Sequence, residues 1–179
     1  VERVAALQQK GFADSTSTAF YACGQLVLAR SSGEVNIKAF KQDLMTNPNQ
    51  RVAIANPKTA PYGHAAKQVL DTLFGNTLQP QQIITANNVG QAFQYVSKQQ
   101  TEWGLISLSA ILGASEGNTL RYQPIPVKWH TPLRQSMSLL VRAKDNPQAR
   151  EFFKFMQSPK AKRIIEQAGY QSDSSLCRQ

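Results

Sequence analysis

The run Ala55-Asn56-Pro57-Lys58-Thr59-Ala60-Pro61-Tyr62-Gly63-His64-Ala65-Ala66 follows a compact apolar stretch and leads into a helical pattern. Two prolines stiffen the turn. Pro61 stands where a helix start needs no N–H donor. The open N–H groups of such a start can hold an anion. Gly63 lets another group approach the backbone closely. An ordinary rigid turn between strand and helix explains the same residues. Asn87-Asn88-Val89-Gly90 repeats the logic with a polar cap, an exposed first turn and a glycine. Here capping alone accounts for each Asn. Gly104-Leu105-Ile106-Ser107-Leu108-Ser109 places Ser107 at the end of a strand, where its hydroxyl can donate to an oxyanion. No GxSxG context surrounds Ser107 and no base is placed beside it, so it does not read as a nucleophile. Lys58 and His64 either add positive charge to the first turn or are plain surface residues.

Other chemistries find less support. His64 and His130 are the two histidines, too few and too isolated for a zinc or catalytic cluster. Cys23 and Cys177 match neither a metal spacing nor a CxxC redox motif. Paired, they would tie the C-terminal tail to an early strand and imply an oxidising compartment. Unpaired thiols fit the sequence equally well. The net charge of +9 favours anionic partners at long range, but the excess is spread along the chain. Its densest patch, Lys154, Lys160, Lys162 and Arg163, reads as the solvated face of a helix. No zinc-finger spacing, RNP-like strand or recognition-helix motif points to nucleic acid. No apolar stretch approaches the length of a membrane span. Val1-Glu2-Arg3-Val4 opens without a secretory signal and without Met, as expected of a processed or partial chain.

These segments need elements to position them. Residues 1–12 read as the end of a helix, with Val4, Leu7 and Gln8 on one side. Residues 20–29 read as one buried strand, and residues 37–44 as a helix capped by Asn36. Residues 51–55 are a strand. Residues 62–74 form a helix with Ala65, Ala66, Val69, Leu70 and Leu73 inward. A strand at Ile83-Ile84 precedes a helix over 89–98, whose inner face is Val89, Ala92, Phe93 and Val96. A strand over 103–108 leads into a short helix. Strands are expected over 119–127 and 134–142. Helices over 147–157 and 159–168 break at Ser158-Pro159. The alternation of strand and helix between 51 and 108 predicts an α/β unit on a mainly parallel sheet. Successive helix starts then share one sheet edge, where ligands of such folds bind. The apolar stretches 20–29 and 134–142 bracket this unit and read as neighbouring crossings between two lobes.

Across essentially the whole chain the sequence resembles the periplasmic molybdate-binding proteins of ABC transporters. The resemblance is carried by VAIANPKTAPYGHAAKQVL (52–70), IITANNVGQAFQYV, EWGLISLSAIL and the closing EFFKFMQSPKAKRIIEQAGY. The closing pattern is shared with other type 2 periplasmic binding proteins. The resemblance implies a two-lobed fold with mainly parallel central sheets and an incomplete first lobe. Residues 1–23 would be a remnant of that lobe, 24–136 the second lobe, and 137–179 the return to the first lobe with its C-terminal helices. The family's binding positions fall on Tyr62, Val89 and Ser107, with Pro61, Gly63 and Asn88 beside them. The first two act through backbone N–H groups. A tyrosine is common at the third, where this chain has Ser107. Two further hydroxyl positions fall upstream of Val1, so this chain is expected to bind more weakly than a complete one.

The implied function is capture of molybdate or tungstate in an interlobe cleft and delivery to an inner-membrane ABC permease, in the periplasm. There would be no catalysis, no cofactor, no directly coordinated metal and no nucleic acid. Helices 147–157 and 159–168 would have little sheet to cover, and would pack on an N-terminal segment or on another chain. The alternative is the ligand-sensing effector domain of a bacterial transcription regulator.

Overall fold

A computed structural model describes residues 2–114 and 119–177. In chain order the elements are α1 (Glu2–Gln9), β1 (Ala19–Gly24), β2 (Leu26–Arg30), α2 (Ile37–Thr46), β3 (Val52–Ala55), α3 (Pro61–Phe74), β4 (Ile83–Ala86), α4 (Val89–Ser97), β5 (Trp103–Ser107), α5 (Leu108–Leu112), β6 (Arg121–Pro124), β7 (Leu133–Met137), α6 (Pro147–Phe155) and α7 (Pro159–Gln167). Two compact units result. One is Gln25–Leu133. The other joins the chain up to Gly24 to the chain from Arg134 onward.

The Gln25–Leu133 unit is built on a five-stranded sheet in the order β4-β3-β5-β2-β6. The alternating run β3-α3-β4-α4-β5 is parallel throughout, with Val52 opposite both Ile83 and Trp103. The expectation of a mainly parallel sheet holds only for these three strands. β2 runs antiparallel to both β5 and β6, so the sheet is mixed. The stretch 20–29 is likewise not one strand. It divides around Gln25 because its halves find different partners: β1 pairs with β7, and β2 inserts between β5 and β6.

Side-chain alternation along the strands produces two unlike faces. Leu26, Leu28, Val52, Ile54, Trp103 and Leu105 form one core with α2 and α3. Phe40 of α2 packs against Trp103 and Phe74, with ring centroids at 5.2 and 5.5 Å. On α3 the buried residues are Gly63, Ala65, Ala66, Val69, Leu70 and Phe74; Leu73 is only half-buried, because Phe74 takes the inner position. The other face carries Val27, Ala29, Ala53, Ala86 and Ile106 beneath α4 and α5. Its side chains are smaller, and α4 comes close. A Cβ at Gly104 would collide with Val96 of α4. At the amino end of β5, Arg30 lies over the Trp103 ring at 4.4 Å and joins Asp43 (3.1 Å) and Glu102 (2.7 Å). Arg30, Asp43 and Glu102 are thereby held together at the edge away from the three helix starts.

Both late strands are shorter than the sequence suggests. β6 stops at Pro124, and the chain turns through a 3-10 helix at Val127–Trp129. β7 stops at Met137, and Val141–Ala143 is 3-10 rather than strand. One further bond runs past Pro124, from the Ile125 N–H to the Leu26 carbonyl (3.0 Å), and Pro126 then has no N–H to offer.

In the other unit β1 pairs with β7, and Cys23 exchanges both backbone hydrogen bonds with Gln171 (2.7 and 2.9 Å). Cys23 and Cys177 form a disulfide with Cα atoms 5.9 Å apart, and both residues are buried. Asn146 and Ser158 cap α6 and α7, each accepting a backbone N–H (3.2 Å). The helices cover little: none of the nine residues of α6 is buried, and Phe152 is 64% exposed.

The disulfide spans 154 residues of sequence, and the chain-entropy account assigns a loop of that length about 5 kcal/mol. Reduction, or Cys23→Ser with Cys177→Ser, should therefore lower the thermal midpoint of this unit by several degrees at least. Its unfolding should separate from that of the Gln25–Leu133 unit. Unchanged melting after complete reduction, checked by thiol titration, would remove the disulfide from the account of stability.

Candidate functional site

The parallel register fixes where the three sequence motifs lie. Ala55 ends β3 opposite Ala86, which ends β4, and β5 ends beside them at Ser107. Each strand is followed by a helix, so α3, α4 and α5 all begin on one edge of the sheet. Adjacent strands β3 and β5 send their helices to opposite faces, α3 to the large-residue core and α5 to the small-residue core. A parallel sheet opens a crevice at such a reversal, beyond the carboxyl ends of its strands. Tyr62 and Ser107 flank this point. Val89 stands one strand further out, on the face of α4.

The three starts are built differently. The turn before α3 is held by Asn56, whose side chain accepts the Lys58 N–H (2.9 Å) and whose carbonyl accepts Thr59 and Ala60 (3.3 and 2.9 Å). Pro61 is the first helical residue, and the cap residue Ala60 offers no side-chain acceptor. By contrast α2, α4, α5, α6 and α7 each have a capping side chain. The Gly63 N–H meets no acceptor among the described residues. The Tyr62 ring packs against the core and its hydroxyl is buried, so this residue turns its backbone rather than its side chain to the edge.

Gly63 has a different reason from the one its sequence context suggests. A Cβ there would lie within 2.5 Å of the Asn56 carbonyl oxygen and closer still to that of Ala55. The group that approaches Gly63 is the end of β3 itself. Pro61, Tyr62 and Gly63 are consequently fixed to the strand that precedes them. Lys58 and His64 are exposed.

At α4, Asn88 accepts the Gln91 N–H (2.9 Å), while the Gln91 side chain accepts the Asn87 N–H (2.8 Å). The N–H groups of Val89 and Gly90 meet no acceptor among the described residues. The pattern Asn-x-x-Gln is legible in the sequence as a capping signal, but the part played by Gln91 goes unread there. At α5, Ser107 is 2% exposed and its hydroxyl oxygen accepts the Ala110 N–H (3.3 Å). Ser107 is thus the cap of a helix, and its own O–H remains able to donate. The Leu108 N–H is engaged with the Gln25 carbonyl (3.0 Å).

The first turns of α3 and α4 carry no acidic residue. The edge therefore presents N–H and O–H donors with no carboxylate of those turns against them, and the positive ends of helix dipoles add to them. Among the described residues no group of three or more His, Cys, Asp or Glu could hold a metal ion. An open groove also runs between α4 and α5, lined by Asn88, Gly90, Gln91, Ser109 and Ala110 among others. It takes in Asn88 but not Tyr62, Val89 or Ser107.

Residues 1–171 match the family model for bacterial extracellular solute-binding proteins, and the chain belongs to that family. Two relatives carry the name molybdate-binding protein ModA. That of Azotobacter vinelandii is 32% identical over 165 residues, covering 92% of this chain and 65% of its own length. That of Rhodobacter capsulatus is 31% identical, covering 90% of this chain and 62% of its own length. The chain thus spans somewhat less than two thirds of these relatives. The solved structure of the periplasmic molybdate-binding protein of Azotobacter vinelandii superposes with a TM-score of 0.78 at 31% identity, over 93% of this chain and 72% of that one. Among the described residues no helix is long and apolar enough to cross a membrane.

The geometry separates two glycines that look alike in sequence. Gly63→Ala should destabilise the protein by about 2–3 kcal/mol, because the colliding atoms are backbone. Gly90→Ala should change stability by less than about 0.5 kcal/mol, since its Cβ would meet only the Asn88 side-chain oxygen at 3.3 Å. Urea unfolding of the two variants measures the contrast.

Proposed function

We propose that this chain binds molybdate or tungstate as part of the capture step of an ABC transporter. The observation that carries the reading is the convergence of three helix starts on one edge, where the N–H groups of Gly63, Val89 and Gly90 meet no acceptor among the described residues. The relatives' names give the ligand class. In this reading the Gln25–Leu133 unit is the second lobe of the binding protein, and the other unit belongs to its first lobe.

The proposed mechanism is reversible binding with no chemical step. A tetrahedral dianion accepts hydrogen bonds at each oxygen. Backbone N–H groups at Tyr62 and Val89 and the Ser107 hydroxyl supply them, and charge-assisted bonds of this kind are short and strong. The donors are neutral, so the anion's charge is balanced by dipoles rather than by a counter-ion. The metal arrives already enclosed in oxygen, so His, Cys and carboxylate ligands have no part in holding it. The serine cap, already accepting from Ala110, is oriented with its proton available to the ligand. Release then needs no proton transfer by the protein, which suits delivery to an inner-membrane permease on the periplasmic side. No observation favours the transcription-regulator alternative.

Isothermal titration with sodium molybdate, extended to millimolar concentration and run beside phosphate, tests the reading. Tyr62→Phe should bind within about 2-fold of the parent, because the ring faces the core. Tyr62→Pro removes one N–H donor and should weaken binding about 10-fold or more, with circular dichroism confirming the fold. Ser107→Ala should weaken binding by a similar factor and cost about 1 kcal/mol of stability through the lost cap. Absence of saturable molybdate binding by the folded parent chain would overturn the reading.

A further inference from the structure

We infer that Gln91 is a positioning residue, which fixes the first turn of α4 around the Val89 and Gly90 N–H groups, donors that meet no acceptor among the described residues. The inference rests on the anion-binding reading for its consequence, but not for its geometry.

The first turn of α4 offers more donors than its cap can take. Asn88 takes the N–H of Gln91 at 2.9 Å. The Gln91 side chain then folds back, and its amide oxygen takes the N–H of Asn87 at 2.8 Å. The N–H groups of Asn87 and Gln91 are thereby engaged, while those of Val89 and Gly90, like that of Asn88, meet no acceptor among the described residues. The other end of the same amide is also occupied: Nε2 of Gln91 donates to the Tyr95 hydroxyl at 3.2 Å. Tyr95 lies one turn further along α4 and packs against the small-residue core. That contact sets which way the Gln91 amide faces, so its oxygen and not its nitrogen meets Asn87.

The result is a closed frame, Tyr95 to Gln91 to Asn87, anchored in the core and reciprocated by Asn88. Donors held in such a frame need no rearrangement when an anion arrives, and preorganisation of this kind raises affinity without adding a contact to the ligand. Every member of the frame is uncharged. Glutamate at position 91 would offer the same acceptor to Asn87, yet would set a negative charge within one helical turn of the donors. Glutamine provides the geometry without the repulsion.

The test is amide NMR of the uniformly 15N-labelled chain, with hydrogen exchange, using sodium molybdate at up to millimolar concentration. In the parent, the Val89 and Gly90 resonances should shift on titration, and the Asn87 amide should be protected without ligand. Gln91→Met keeps the length and loses the acceptor. It should abolish the Asn87 protection, reduce the Val89 and Gly90 shifts and weaken binding about 5-fold, while Gly63 still responds. Gln91→Glu should keep the Asn87 protection and still weaken binding, a split that a purely structural role would not produce. Asn87 exchange in Gln91→Met equal to the parent's would overturn the inference. So would binding and Val89 shifts within 2-fold of the parent in that variant. If the parent shows no molybdate response at any of these amides, the functional reading fails instead, and the exchange of Asn87 in the two variants still decides the positioning role.

Discussion

The contact between Gly63 and the carbonyl end of β3 constrains everything around the candidate site. Backbone meets backbone there, with no side chain to yield, and the Asn56 carbonyl lies within 2.5 Å of where a Cβ would stand. The helix must therefore leave the strand at a fixed angle. That angle carries Ala65, Ala66, Val69 and Leu70 onto the large-residue face of the sheet. It also sets the helix start at the carboxyl edge rather than above it. The opposite face answers with the same device one strand away, where Gly104 admits Val96 and lets α4 settle close to the sheet. Two glycines, one on each face, bring two helices into contact with the sheet close enough for their first turns to share an edge.

The edge owes its chemistry to what is missing from it. The first N–H groups of a helix have no partner within it; Gly63 is buried, Val89 half-buried and Gly90 exposed. Here α3 starts on Ala60 and Pro61, which cap nothing, while α4 is capped in a way that passes over Val89 and Gly90. The charged groups that might have satisfied such donors are held elsewhere. Arg30, Asp43 and Glu102 form their network at the far end of β5. The first turns of α3 and α4 thus offer donors without an acidic residue, while the other end of the sheet holds an ion-pair network. A dianion is the ligand such a polarity suits.

Much of this was legible in the sequence. The strand-helix alternation from 51 to 108 gave a parallel core because its apolar runs are short and its breaks carry Pro, Gly and Asn. The caps Asn36 and Asn88 are legible for the same reason, as local chemistry announces itself locally. The antiparallel insertion of β2 was not legible. Leu26–Arg30 has the same apolar character whichever way its neighbours run, and only the pairing of Leu26 with Ser107 reveals the direction. The break near Gln25 was hidden too, because β1 and β2 read as one apolar stretch until each meets its partner. The sequence context of Gly63 suggests access by another group, whereas the close neighbour is the end of β3. Gln91 carries no signal of its own in the sequence, because its role depends on Tyr95 and Asn87 together.

The central claim is that the anion sits on backbone donors at the carboxyl edge of β3, β4 and β5, with Ser107 completing the set. Crystals grown with sodium tungstate, with anomalous scattering recorded at the tungsten edge, place the metal without reference to any assumed site. The account predicts a peak beyond the ends of β3 and β5, its oxygens within hydrogen-bond reach of the Tyr62 and Val89 N–H groups and the Ser107 hydroxyl. A peak in the α4–α5 groove, or among Lys160, Lys162 and Arg163 of α7, with that edge empty, would contradict it.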